Sequence, residues 1–199
     1  MYALSLEPTD PVVYCQRGRE LTVDSIPDAV TADVQQIVDS RGPGALVADD
    51  LWQADLASLG WSGDPIYIKA IAEALRRAQR GELDYVTVRA PTGEPISKGT
   101  IDFTHAQGPG QLGQLATHPR LQSLGIGTRL IHELHDRARA RKLNSVWLGV
   151  EGDNPRGRAL CERLGYTAFD EDEAGWESLD SAGNPVWYRT RLILMRCDL

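Results

Sequence analysis

Four stretches of the chain carry apolar residues at helical spacing, and the rest of the ordered pattern alternates or clusters as strands do. Pro27 and Asp28 open a helix over residues 29–40. Asp64 caps the next, Pro65 fits its first turn, and Gly81 can end it on a left-handed residue, with Ile68, Ile71, Ala72 and Leu75 along one face. Ile126, Leu130, Leu134 and Ala138 mark a third helix, running to Arg141. Asn154 and Pro155 start a fourth, which reaches Leu164 and stops at Gly165. Strands are predicted over residues 20–26, 84–89, 96–104, 111–117, 146–150, 166–170 and 186–196. The turn Pro91-Thr92-Gly93-Glu94 makes the second and third of these a hairpin, and Pro119 stops the fourth. Residues 45–59 are expected to be partly helical, and a connection carrying Trp176 joins the last two strands. Strand, helices, three antiparallel strands, helix, strand, helix and two strands make a mixed sheet covered by helices, an α/β or α+β fold.

Composition keeps that picture to one domain. The chain has 199 residues, 42% hydrophobic and 25% charged, which is ordinary for a globular domain. Turn-rich stretches at 41–44, 60–65, 106–110 and 181–185 recur too often to mark one boundary, so residues 1–199 are read as a single domain. Cys15, Cys161 and Cys197 are too scattered for a disulfide framework or a zinc site, which fits a reducing, cytoplasmic compartment and no metal. The chain lacks an apolar run near the roughly 18 residues of a membrane span, and residues 1–10 lack a signal-peptide pattern, so no membrane partner is expected. Lys and Arg total 21 against 28 Asp and Glu, a net charge of −7. That balance argues against nucleic acid and tolerates a cationic substrate.

The chemistry is concentrated where the fourth strand runs into the third helix, Thr117-His118-Pro119-Arg120-Leu121-Gln122-Ser123-Leu124-Gly125-Ile126-Gly127-Thr128. Two closely spaced glycines at a helix start leave backbone N–H groups open to an approaching phosphate. The same glycines would equally serve tight helix–strand packing. A P-loop is excluded, because G-x-x-x-x-G-K-[ST] is absent, and Leu130 stands where a Rossmann fingerprint needs its third glycine.

With those residues in view, the chain resembles the GCN5-related N-acetyltransferase (GNAT) family. Gln122-Ser123-Leu124-Gly125-Ile126-Gly127 matches the family's Q/R-x-x-G-x-G/A signature, and Thr117-His118-Pro119 its preceding V-x-P with Thr for Val. Asn154, Leu160, Gly165 and Tyr166 fit the N-x-x-A-x-x-L-Y-x-x-x-G-F helix, with Gly157 in place of Ala and Cys161 in place of Tyr. The resemblance implies a GNAT fold: a mostly antiparallel sheet of about seven strands flanked by helices, with acetyl-CoA in a cleft where two strands splay. The motif region spans residues 111–166. It further implies that Leu115, Ala116 and Thr117 face the pantetheine arm and that the Leu115 N–H meets the thioester oxygen. Gln122, Ser123, Leu124, Gly125, Ile126, Gly127 and Thr128 would cradle the pyrophosphate. Asn154 would contact the cofactor, or simply cap its helix.

Departures from the family pattern leave the proton transfers open. Cys161, where the family has its acid, reads either as a thiol donor or as a small buried hydrophobe. Gln111 stands where some members carry a base, and His118, Glu151, Asp102 and His105 are the remaining candidates. His132 and His135 read as surface or edge positions. For the acceptor cleft the resemblance points to the first two helices and the final strands. Those regions hold Asp49, Asp50, Trp52, Asp55 and Trp61, then Asp170 to Glu173, Trp176 and Glu177, and Asp102 joins them as a candidate contact. Carboxylates beside tryptophans suit a cationic amine, such as an aminoglycoside-like antibiotic, a polyamine or a peptide or protein amine. A solvated acidic loop over core tryptophans is the plainer reading. The implied activity is acetyl transfer from acetyl-CoA to a primary amine. A weakly catalytic acyl-CoA sensor and a longer-chain acyltransferase are the competing readings. A homodimer, pairing through the last strand, is compatible with all three.

Overall fold

The computed structural model describes residues 26–104 and 108–199. The first predicted strand, apart from Ile26, lies outside them, as do Cys15 and His105. The elements run α1 (Asp28–Arg41), β1 (Ala48–Asp50), α2 (Pro65–Gln79), β2 (Leu83–Arg89), β3 (Pro95–Asp102), β4 (Gly110–Thr117), α3 (Ile126–Ala140), β5 (Ser145–Glu151), α4 (Pro155–Arg163), β6 (Thr167–Leu179) and β7 (Pro185–Asp198). Among the described residues the strands form one seven-stranded sheet in the order β1-β2-β3-β4-β5-β7-β6. Only the central β4–β5 pair is parallel.

Two apolar layers hold helices to the sheet. On one face Ile126, Leu130, Leu134 and Ala138 of α3 meet Val86, Val88, Ile101, Leu112, Leu115, Val146, Leu148 and Val150. Each fully buried leucine there contributes about 1.5–3 kcal/mol relative to exposure. On the other face α2 brings Ile71 and Leu75 against Leu51, Leu59, Trp61, Leu83 and Tyr85. The start of α2 is fixed as its sequence implies, the Asp64 carboxylate accepting the Tyr67 N–H at 2.9 Å ahead of Pro65.

Three expectations are corrected. Residues 45–59 are helical only as 3-10 helix, chiefly Gln53–Ser58, and the part before it is extended and forms β1. The Arg89 guanidinium accounts for this: it binds the Asp49 carboxylate at 2.7 Å, the Asp55 carboxylate at 2.9 Å and the Asp50 carbonyl at 2.9 Å. Those bonds draw the segment onto the edge of β2 as an extended chain. The strand expected over 166–170 continues unbroken to Leu179, so Trp176 lies within β6 rather than in a connection. β6 is the sheet's edge and most of it is exposed, so it carries no apolar alternation to betray it. Finally β7 is interior over residues 192–196, where it pairs with both β5 and β6, so only residues 185–191, which pair with β6 alone, keep an open side; the sheet's outer edge belongs to β6.

Candidate active site

The pairing of β4 with β5 ends almost as it begins. Gly110 faces Val146 and Gln111 faces Trp147, after which the two strands diverge and leave the rest of β4 open on that side. Within this open stretch β4 is bulged. Lys98 pairs with Ala116 but Thr100 with Gly113, so Gly99 alone faces both Gln114 and Leu115. Gln114 takes a left-handed φ of 49°, a conformation costing a non-glycine residue about 1–2 kcal/mol.

Both ends of Gln114 are tied down. Its side-chain oxygen accepts the Tyr85 hydroxyl, and its backbone carbonyl accepts the Lys98 ammonium at 3.0 Å. Lys98 Nζ also donates to the Tyr67 hydroxyl at 3.0 Å and lies 4.7 Å from the centre of that ring. The lysine is completely buried, and this desolvation pulls its pKa from 10.5 down to about 7. Burial pushes the Tyr85 hydroxyl well above its usual range, so it remains a donor. Sequence reasoning missed Lys98, Tyr67, Tyr85 and Gln114. A lysine in mid-strand between two helix-covered faces was the available signal, since it has no route to water.

Beyond Thr117 the chain is pinned at several points. The His118 Nδ1 accepts the Arg120 N–H at 3.3 Å, which puts the proton of the neutral ring on Nε2, and the ring lies 5.4 Å from that of Trp61. Gln122 donates to the Thr117 carbonyl at 3.3 Å, and Arg120 reaches the Ile26 carbonyl at 2.9 Å and the Asp28 carboxylate. Ser123 at φ 68° and Gly125 at φ 77° turn the chain into α3. The first bond within the helix is donated by Arg129 to Gly125, at 3.0 Å, so the N–H groups of Ile126, Gly127 and Thr128 precede the helical ladder. A Cβ on Gly125 would come within 2.9 Å of Pro43, in addition to the strain of its positive φ. A Cβ on Gly127 would sit 3.5 Å from both Thr117 Oγ1 and Leu160, at the seam between β4, α3 and α4.

The remaining candidates divide by location. Glu151 is buried at the end of β5, in step with Trp147 and opposite in face to Val146, Leu148 and Val150, which point to α3. Trp176 packs with Trp147, Leu192 and Leu194 and tilts over Tyr188 at 4.8 Å, beside the β4–β5 divergence. Asn154 caps α4, its side chain accepting the Gly157 N–H at 2.9 Å. Cys161 is buried in the α3-side core with Tyr166. Asp102 is engaged elsewhere, in an ion pair with Arg77 at 2.6 Å and in bonds to Thr104. Trp52 is 60% exposed beside β1, with two strands between it and β4, and Asp49 and Asp55 are bound to Arg89. His135 is not a surface position: it is buried, 2.6 Å from the Tyr166 hydroxyl, and burial together with Arg139 lowers its pKa to about 4. No cluster of metal-ligating side chains occurs among the described residues.

The sequence model of the acetyltransferase (GNAT) family matches residues 52–166, more than half of the chain. The chain belongs to this family. Among solved structures, this GNAT protein is similar to the ribosomal-protein-alanine N-acetyltransferase of Brucella melitensis, with TM-score 0.61 and 19% identity over 77% of this chain and 100% of that one. It is also similar to the PaiA N-acetyltransferase of Thermoplasma acidophilum, solved in complex with coenzyme A, with TM-score 0.57 and 15% identity over 78% and 99% of the two chains. These likenesses establish the fold. A curated relative, the mycothiol acetyltransferase of Beutenbergia cavernae, is 41% identical over 58 residues, which are 29% of this chain. The match spans only 20% of that relative's length.

Proposed function

We propose that this acetyltransferase moves the acetyl group of acetyl-CoA to a primary amine, on a small cationic molecule or a peptide, by direct attack. The observation that carries the reading is the divergence of β4 from β5 after Gln111 and Trp147, leading straight to the uncapped start of α3. Its residues suit coenzyme A: an open strand edge for an amide-bearing arm, and helix-start N–H groups for a pyrophosphate.

In this reading Leu115, Ala116 and Thr117 offer backbone groups to the pantetheine arm. The residues from Gln122 to Thr128 hold the pyrophosphate, and Asn154 keeps the start of α4 against the site. The Leu115 N–H donates to the thioester oxygen, where it offsets the charge that develops as the amine attacks. The acceptor enters from the α2 face, between Trp176 on β6 and the β4 bulge. Glu151, on that face, takes the amine's proton through water. His118, with Nδ1 engaged by the Arg120 N–H, holds the loop, and Cys161 packs in the core. N-acetyl transfer is also the activity named for both similar structures.

Release of the coenzyme A thiol over a panel of polyamines, aminoglycosides and peptide N-termini tests the proposal. At least one amine should accelerate release above the rate with water. Tight acetyl-CoA binding without acceleration by any amine would support the non-catalytic reading, which the Gln111 and Cys161 replacements favour.

A further inference from the structure

The Lys98–Gln114 contact carries an inference that rests on the Leu115 reading above. We propose that Lys98 is a positioning residue for acetyl transfer: its ammonium grips the Gln114 carbonyl and thereby aims and strengthens the Leu115 N–H as a donor.

Gln114 O and Leu115 N belong to the same peptide group, which is planar and trans, so the carbonyl and the N–H point in opposite directions. Fixing the oxygen therefore fixes the aim of the N–H. Lys98 fixes it with a 3.0 Å bond from a side chain that is itself held by the Tyr67 hydroxyl at 3.0 Å, inside a fully buried site. A cation on the carbonyl also polarises the amide and makes its N–H a stronger donor, an effect that a dry surrounding enlarges. The bulge needs such an anchor, since Gln114 holds a left-handed φ of 49° without being glycine. The Tyr85 hydroxyl binds the Gln114 side chain, whereas Lys98 binds the peptide oxygen itself.

The arrangement also accounts for a lysine kept where it is costly. Among the described residues Lys98 has no carboxylate partner, and a side chain of this length would pack at lower cost as methionine. The other titratable groups on its face, among the described residues, include Tyr67 and Asp64 from α2 and its cap, Tyr85 from β2, His118 just after β4, Glu151 at the end of β5 and Tyr188 on β7, with Arg77 and Asp102 paired at its far end. Because burial brings Lys98 to a pKa of about 7, the side chain is an ammonium at pH 6 and largely a neutral amine, a weaker donor to the Gln114 carbonyl, at pH 9.

The test is the infrared carbonyl band of bound acetyl-CoA labelled with carbon-13 at the thioester carbonyl, which reads the donor without needing an acceptor. In the wild type the band should lie below its frequency in free acetyl-CoA at pH 6, and this displacement should shrink as the pH rises through 7. Lys98→Met should bind acetyl-CoA with a smaller displacement that no longer responds to pH. With an acceptor from the amine panel, its kcat should fall roughly 10- to 100-fold with KM for acetyl-CoA little changed, a smaller loss than removal of an oxyanion donor itself. A wild-type displacement that is pH-independent and persists in Lys98→Met would overturn the role of Lys98 alone. No displacement at any pH would overturn the assignment of Leu115, and no binding of acetyl-CoA would overturn the proposed function. Should Lys98→Met fail to fold, the wild-type pH series decides between the same outcomes.

Discussion

Replacing Lys98 by methionine removes a buried ammonium and keeps most of the side-chain volume, so the pH dependence of its effect on stability is predictable. The folded protein holds this lysine at a pKa of about 7, against 10.5 when it is exposed. Below pH 7 both folded and unfolded chains carry the charge, and the folded state bears the whole cost of burying it. Between about 7 and 10.5 the unfolded chain binds more protons than the folded one, so wild-type stability rises with pH; above that range the penalty is gone. At 1.36 kcal/mol per pH unit the span corresponds to about 5 kcal/mol. Against this, the variant loses two hydrogen bonds from a charged group, together about 3 kcal/mol, and leaves the Gln114 carbonyl unsatisfied. With the unsatisfied carbonyl costing about 1–3 kcal/mol more, the two sides nearly cancel in acid: the expectation is a variant within about 1 kcal/mol of the wild type at pH 6 and less stable than it by about 3–5 kcal/mol at pH 10. Urea unfolding followed by tryptophan fluorescence at pH 6, 8 and 10 measures both. A stability difference that does not change with pH would refute the buried, charge-bearing lysine and the coupling built on it.

Other expectations test separate parts of the site. Gly127→Val should weaken acetyl-CoA binding at least tenfold in calorimetry while leaving the fold intact, since its Cβ meets only ordinary contacts at 3.5 Å and its methyl groups enter the approach to the helix start. Asp64→Ala should cost about 1–3 kcal/mol in urea unfolding and raise hydrogen exchange at the tip of β6, because that carboxylate caps α2 and also accepts Ser178 Oγ at 2.8 Å and the Leu179 N–H at 3.0 Å. Although burial alone would raise its pKa, those bonds hold Asp64 below the usual carboxylate range, so the docking of β6 is complete at neutral pH and is lost only in acid. His135, with a folded pKa of about 4 against 6.5, should make stability fall as pH drops from 6.5 toward 4, a loss absent in His135→Phe.

Which parts of this molecule can be read from the chain follows from where the stabilising contacts lie in sequence. The helices with strong stripes and local caps, α2 and α3, are legible because the signals of Asp64, Pro65 and the apolar residues lie within a few turns of one another. The same holds for the β2–β3 hairpin and for the glycines that start α3. β1 is not legible, because it is extended by Arg89, some 40 residues later, rather than by its own pattern. β6 hides for the opposite reason: an exposed edge strand needs no apolar face, and its acidic run reads as a loop. The site divides in the same way. Its phosphate side is written in adjacent residues, while the bulge depends on Tyr67, Tyr85, Lys98 and Gln114, which only the sheet register brings together. Asp102 and Asp55 look like free carboxylates in the sequence and are neutralised by Arg77 and Arg89 in the fold.

The most direct test of the account is a calorimetric titration of the protein with acetyl-CoA, repeated with dephospho-coenzyme A and with pantetheine, which lacks the pyrophosphate. The account predicts saturable binding of acetyl-CoA and dephospho-coenzyme A at micromolar concentrations, with loss of most of the affinity for pantetheine and in Gly127→Val. Equal binding of pantetheine, or no binding of acetyl-CoA at all, would contradict it, and Gly125 and Gly127 would then serve only to pack α3 against the sheet.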